Sequence, residues 1–313
     1  MTRAFVFPGQ GSQAVGMGRE LAGAFPVAKQ LFEEVDDALG QKLSRLMFEG
    51  PQDELTLTEN AQPALMAVSL AVMAVLRHEG GLDLARACAF VAGHSLGEYS
   101  ALAAAGTFSV ADAARLLKTR GKAMQDAVPV GEGAMAALLG IDLEVAMQVA
   151  QEASDLGVCD TANDNAPGQV VVSGALAAVE KAVEIAGGRG ARKCVMLPVS
   201  APFHSSLLAP AADVMRDALA GVQMNSPVVP VVANVTAEPV SDVEAIRDLL
   251  VRQVTATVRW RECVLAMKER GVDTLVEIGA GKVLTGLARR IDRELGALAV
   301  GTPEGIEELV KTL

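Results

Sequence analysis

Aromatic side chains are scarce in this 313-residue chain: one Trp, one Tyr and eight Phe, 3% of the total. Too few are present for the stacking platforms that hold single-stranded nucleic acid. The interior must instead be filled by alanine and branched aliphatic residues from the 51% of the chain that is hydrophobic. Basic residues are also outnumbered, 27 against 38 acidic ones, for a net charge of -11. Neutralisation of phosphates by Lys and Arg dominates nucleic-acid affinity, so this balance argues against a nucleic-acid partner. Cysteine is limited to Cys88, Cys159, Cys194 and Cys263, far apart in the chain. No spacing suits a metal site or a disulfide framework, and the reading is of buried free thiols in a reducing, cytoplasmic setting. Long apolar runs are missing as well. Ala4 to Phe7 is broken by Pro8-Gly9, too short for a secretory signal. Ala64 to Leu76 is interrupted by Ser69, too short to span a bilayer and read as a buried helix. No membrane association is expected.

What is present alternates strand and helix. Residues 4 to 7 read as a buried strand, residues 17 to 39 and 64 to 79 as helices, and residues 87 to 92 as an apolar strand ended by Gly93. Ser109 to Asp112 has the form of a capping box opening a helix to about Met124. This order favours a parallel α/β sheet. Between Val128 and Ser200 the order becomes βαββαβ: strand 134–139, helix 143–153, strand 158–162, turn 165–168, strand 169–173, helix 176–186 and strand 193–198. That is the split βαβ pattern of ferredoxin-like domains. Strand 228–234, helices 243–253 and 260–271, strand 274–278 and helix 283–295 complete the chain. The expected fold is α/β, a hydrolase-like parallel-sheet core (residues 1–127 and 201–313) carrying an inserted ferredoxin-like small subdomain (residues 128–200).

Gly93-His94-Ser95-Leu96-Gly97 matches G-x-S-x-G between an apolar strand and a helical run, Glu98 to Ala105. A sharp strand-to-helix turn lifts such a serine clear of its neighbours, and small residues two positions either side let backbone pack closely. The N-terminus of the following helix offers the Leu96 N–H to a developing oxyanion. Ser95 needs a base, and the chain has three histidines. His94 is adjacent and should point away; His78 sits at a helix end in Arg-His-Glu-Gly-Gly. By elimination the base is His204, in the loop Ser200-Ala-Pro-Phe-His-Ser-Ser206, with an intrinsic pKa suited to work near neutrality.

Six blocks in order resemble the malonyl-CoA:acyl carrier protein transacylase family of bacterial fatty-acid synthesis. They are Phe5-Val-Phe-Pro-Gly-Gln-Gly-Ser-Gln13, Gly93-His-Ser-Leu-Gly-Glu-Tyr-Ser100, Thr119-Arg-Gly-Lys-Ala-Met124, Asn163-Asp-Asn-Ala-Pro-Gly-Gln169, Pro202-Phe-His-Ser205 and Val276-Glu-Ile-Gly-Ala-Gly-Lys-Val-Leu284. Together they span nearly the whole chain.

The resemblance implies a serine acyltransferase without metal or other cofactor, taking malonyl-CoA and an acyl carrier protein and releasing coenzyme A. Ser95 would attack the thioester and His204 would take its proton. Gln253 would orient the imidazole by side chain or nearby backbone, and Gln10 with the Leu96 N–H would line the oxyanion hole. Arg120 would grip the malonyl carboxylate, which its planar fork suits. Phe203 resembles the malonyl-selective form of its loop, and Asn165 would contact substrate. Asp164 and Ala166 stand where many members carry an aromatic and a serine, which puts the contacts near Asn165 in question; Ala280 replaces a frequent proline. An acidic carrier protein approaching an acidic chain calls for a basic patch. Candidates are Arg115-Lys118-Lys122, Arg189-Arg192-Lys193 and Arg289-Arg290-Arg293, of which Arg289 and Arg290 are taken as docking residues. A monomer is expected. The rivals are an esterase-type serine hydrolase, which leaves Arg120 and the PGQGSQ block without a role, a stand-alone acyltransferase serving a polyketide synthase, and an inactive carrier-docking module.

Overall fold

Strand β1 (Arg3–Phe7) is apolar at every position from Ala4 on, and those four residues are fully buried. Continuous apolar runs of this kind belong to parallel sheets covered on both faces. The structure, a computed structural model describing residues 2–313, places β1 at the centre of such a sheet. The other strands in it are β2 (Phe90–Gly93), β7 (Val231–Val232), β8 (Pro239–Val240), β9 (Thr274–Ile278) and β10 (Gly296–Val300), in the order β10-β9-β1-β2-β7-β8. All neighbours are parallel except β8, which runs antiparallel to β7. Side chains alternate between the faces. Phe5, Phe7, Val91, Val276 and Ile278 pack towards the helices Pro26–Leu39, Thr58–Gly80 and Val110–Asp126. Ala4, Val6, Ala92 and Leu275 pack towards Trp260–Glu269 and Val283–Ile291. The helix Thr58–Gly80 is long and apolar enough to cross a membrane, and 89% of its most apolar window is buried inside the protein.

A second sheet is antiparallel: β3 (Gly133–Leu139), β4 (Cys159–Ala166), β5 (Gln169–Ala175) and β6 (Lys193–Met196), in the order β4-β5-β3-β6. Helices Leu143–Ala153 and Leu176–Gly188 cover one face in a core of their own, including Ala136, Leu138, Val149, Val172 and Val179. From the other face Met135 and Val171 join the main core. Irregular register in β4 at Asn163 lets it also bridge Val258. A two-to-one mismatch of this kind bends the strand and re-aims its side chains.

Several expected elements come out differently. The helix expected over 17–39 is two, Arg19–Ala24 and Pro26–Leu39, because Phe25 is extended (φ -130°). A residue before proline is pushed out of the helical region, and Pro26 opens the next helix instead. The strand over 228–234 shrinks to Val231–Val232. The helix from Val283 stops at Ile291, and Gly296–Val300 is the edge strand β10, whose Gly-Ala-Leu-Ala-Val sequence has a single β-branched residue and little strand propensity of its own. The helix Ala209–Ala220, opened by Pro210, is not among the expected elements. The Ser109 cap is present, its hydroxyl accepting from the Asp112 N–H. All four thiols are free, and Cys194 is only half-buried.

Candidate active site

β1 and β2 are adjacent parallel strands, so the loops at their carboxyl ends lie side by side. β2 and β9 flank β1 on opposite sides, which makes this edge a reversal of strand order, the usual place for a ligand crevice in open α/β sheets. Gln10 follows one strand and Ser95 the other. At the elbow, Ser95 has φ 53°, a left-handed conformation that costs a non-glycine residue about 1–3 kcal/mol. Glycine is required two positions either side. A Cβ on Gly93 would lie 1.9 Å from the Gly97 carbonyl, and one on Gly97 would lie 2.2 Å from the Phe7 carbonyl oxygen. The turn thus packs backbone against backbone, and the helix Gly97–Ala104 starts directly behind the serine.

His204 also has a positive φ, 57°, in the loop that leaves the small sheet. Its Nε2 lies 2.7 Å from Ser95 Oγ. Its Nδ1 donates to the backbone carbonyl of Gln253 over 2.9 Å. A carbonyl can only accept, so Nδ1 carries the proton and Nε2 presents its lone pair to the hydroxyl. His204 is 3% exposed. Burial, and then the nearby Arg120 charge, push its pKa down to about 3, so the imidazole is neutral at physiological pH.

Arg120, in the helix Val110–Asp126, is 1% exposed. Nη2 donates to Ser95 Oγ (3.1 Å) and Gln253 Oε1 (3.0 Å), and Nη1 donates to Gln62 Oε1 (2.9 Å). Its Cζ lies 5.6 Å from the centre of the Tyr99 ring. All three oxygen acceptors are neutral, so this buried cation meets hydrogen bonds without an ion pair to Ser95, Gln62 or Gln253. Such a site favours an incoming carboxylate.

A cleft of about 410 Å³ opens over these groups, lined by Gln10, Ser95, Arg120, Phe203 and His204 and by Met124, Met135, Asn163, Leu197 and Val199. Leu96 is buried at the head of the helix Gly97–Ala104. Gln10 donates a long bond, 3.5 Å, to the Thr58 hydroxyl.

Asn163 lines the cleft, and Asn165 Oδ1 lies 2.7 Å from Nε2 of His94, itself a lining residue. His94 turns from the serine, as expected, and packs near Trp260. Asp164, 1% exposed, accepts from Arg261 through both oxygens, at 3.1 and 2.9 Å, and so ties β4 to the helix Trp260–Glu269. An aromatic could not make that ion pair. His78 is exposed beside Glu79. Arg289 and Arg290 are exposed on the helix Val283–Ile291, with Arg290 donating to Gln169. In the other two patches Lys118 pairs with Glu59 and Arg189 with Glu152.

Gln62, Glu98 and Asn234 join the site without a role expected from the sequence. Glu98 is 2% exposed, accepts from Gln253 Nε2 and the Asn234 N–H, and is pushed up to about 7 by burial. It lies inside the elbow block, a signal that could have found it. Asn234 stands in no block. Gln253 was expected to orient the histidine by side chain or backbone; the backbone carbonyl makes that bond, while the side chain spans Arg120, Glu98 and Asn234.

The chain is similar to proteins of known kind over its whole length. The acyl transferase domain family matches residues 4–295. The malonyl CoA-acyl carrier protein transacylase of Bacillus subtilis (strain 168) is 46% identical over 99% of this chain and 96% of its own. That of Escherichia coli (strain K12) is 46% identical over 97% of each. Among solved structures, the acyl-carrier-protein-S-malonyltransferase from Bartonella henselae is 57% identical with a TM-score of 0.98, covering 100% of this chain and 99% of that one. A malonyl-transacylase solved in complex with a holo type II PKS acyl-carrier protein is 43% identical with a TM-score of 0.96, covering 100% of both. Sequence, fold and a serine–histidine–arginine cleft agree: this chain belongs to the acyl transferase domain family and, within it, to the malonyl CoA-acyl carrier protein transacylases.

Proposed function

We propose that this protein moves the malonyl group from malonyl-CoA to the phosphopantetheine thiol of acyl carrier protein through a malonyl-Ser95 intermediate. The observation that carries the reading is the meeting on one hydroxyl of a neutral imidazole, 2.7 Å away, and a buried guanidinium, 3.1 Å away. Ser95 Oγ attacks the thioester carbonyl as His204 Nε2 takes its proton. Gln10 and the Leu96 N–H hold the oxyanion. The C–S bond breaks, and the proton on Nε2 passes to the departing coenzyme A sulfur. The carrier thiol then gives its proton to His204 and attacks the acyl-serine; the new C–S bond forms, the C–O bond breaks, and the proton returns to Oγ. A neutral Gln253 carbonyl in place of a carboxylate fixes the imidazole tautomer without adding charge beside the substrate's own.

Arg120 holds the malonyl carboxylate, supported by its neutral acceptors and planar fork. Phe203, at the cleft wall beside His204, limits the room at the acyl group's α-carbon. Exposed Arg289 and Arg290 meet the acidic carrier, on a helix that packs against the cleft-lining strand β4. Residues 128–200 are read as a ferredoxin-like subdomain between 1–127 and 201–313. The strand order β4-β5-β3-β6, with both helices on one face, supports this. The protein is read as acting in the cytoplasm, as a monomer. Incubation with labelled malonyl-CoA followed by intact-mass analysis tests the reading: one malonyl mass on the Ser95 peptide, absent in Ser95→Ala. No adduct on the unmutated chain refutes it.

A further inference from the structure

Asn234 follows β7, the strand next to β2, so it emerges beside the elbow although 139 residues separate it from Ser95. It is fully buried. Its Oδ1 accepts from the Ser95 N–H over 2.8 Å, and its Nδ2 donates to the Gly93 carbonyl over 2.7 Å. Gly93 offers only a carbonyl there and Ser95 only an N–H, so the amide has one orientation that satisfies both. Gln253 Nε2 also donates to Oδ1 (3.2 Å), which agrees with that orientation. The backbone N–H of Asn234 donates to Glu98 Oε2 (3.0 Å), so Gly93, Ser95 and Glu98 are all tied to one residue. The residue held in the middle is the one with the left-handed φ.

We propose that Asn234 is a positioning residue for the nucleophile: its carboxamide clamps the two sides of the elbow and holds Ser95 in the conformation that puts Oγ on His204. The inference rests on the reading of Ser95 as the acylated residue. Asn234 touches no reacting atom and makes no bond to Arg120. Its loss therefore slows acylation without changing the choice between acyl groups.

Asn234→Asp keeps the shape and the acceptor for Ser95 but sets a carboxylate oxygen against the Gly93 carbonyl. Once protonated, the same side chain donates there again. The titratable and charged groups around this position are Glu98 from the helix Gly97–Ala104, on which the Arg120 charge acts, Cys263 from Trp260–Glu269, whose thiol burial pushes well up, and Arg259 just before that helix, whose N–H donates to the Asn234 carbonyl and whose guanidinium donates to the carbonyls of Val235 and Thr236. Glu98 titrates in both proteins, so rates are compared as the ratio of N234D to the unmutated chain at each pH. First-turnover acylation of Ser95 is followed by mass, with malonyl-CoA and acetyl-CoA, per folded molecule.

At pH 8, N234D is expected to acylate at least tenfold more slowly with both donors, its malonyl-to-acetyl ratio within twofold of the unmutated chain. The gap is expected to narrow at least fivefold at pH 6. Asn234→Ala, which cannot regain the donor, is expected to show a comparable loss at both pH values, and it carries the test if N234D does not fold at pH 8. A full rate in either variant at pH 8, a gap in N234D that does not narrow, or a loss confined to malonyl-CoA overturns the proposal. An unmutated chain that forms no Ser95 adduct at pH 8 overturns the underlying reading as well. An adduct with unimpaired variants overturns the clamp alone.

Discussion

His204 is buried with its Nε2 on Ser95 Oγ and its Nδ1 on the Gln253 carbonyl, a neutral partner. Its pKa is pushed down to about 3, from the usual 6.5, by burial and by the Arg120 charge. Between those values the unfolded chain binds a proton that the native protein refuses. The native state's advantage is therefore intact above pH 6.5 and is lost as the pH falls towards 3. At a pH two units below 6.5, the linkage amounts to about 3 kcal/mol, since one unit is about 1.4 kcal/mol. His204→Asn removes the titrating group while keeping a residue that tolerates a left-handed backbone. Glu98 works in the opposite direction, because a raised carboxyl pKa makes the native state gain on acidification from about 7 to 4.5. It is present in both chains and cancels from their difference. Urea unfolding of both proteins at pH 7.5 and 4.5 measures the effect. The unmutated chain is expected to lose about 3 kcal/mol more than His204→Asn over that interval. Parallel losses would show that the imidazole is solvated or ionised in the native protein, and the account of a neutral, buried base would fail.

Gly97→Ala sets a Cβ 2.2 Å from the Phe7 carbonyl oxygen, a backbone atom that cannot swing aside. Thermal melts should show a loss of about 3 kcal/mol or more, with little Ser95 acylation in what remains folded; an unchanged melt would refute the close-approach argument. Arg120→Ala should depress malonyl transfer far more than acetyl transfer in parallel steady-state assays, since only malonyl brings a carboxylate to the guanidinium. Arg289→Glu with Arg290→Glu should raise the apparent KM for carrier protein and leave that for malonyl-CoA unchanged, and equal changes in both would remove this helix from docking.

The elbow was legible because its information is local. A strand, a turn with glycine two positions either side of Ser95 and a helix follow one another in a dozen residues, and the steric reason for each glycine is a backbone contact within or beside that turn. The capping serine at 109 was legible for the same reason. The split of the 17–39 helix was signalled by Pro26 but overridden by apolar periodicity on both sides. β10 was not legible: Gly-Ala-Leu-Ala-Val, with one β-branched residue, makes a strand because β9 offers it a parallel edge. Which side chains of β4 face the cleft was not legible, because the strand is irregular at Asn163 and Ala166, and a lost register changes the facing.

By itself the sequence determined the alternation of strands and helices, the strained turn that lifts Ser95, and, through a supply of only three histidines, the identity of its partner. Only the tertiary structure decided what that turn is attached to. Asn234, Gln253 and Arg120 reach Ser95 from 139, 158 and 25 residues away, and no local pattern marks the first of them. The protonation states of His204 and Glu98 were likewise decided by folding, because both follow from removing water around the groups. Spacing along a chain encodes local geometry; desolvation and the meeting of distant side chains exist only once the chain has packed.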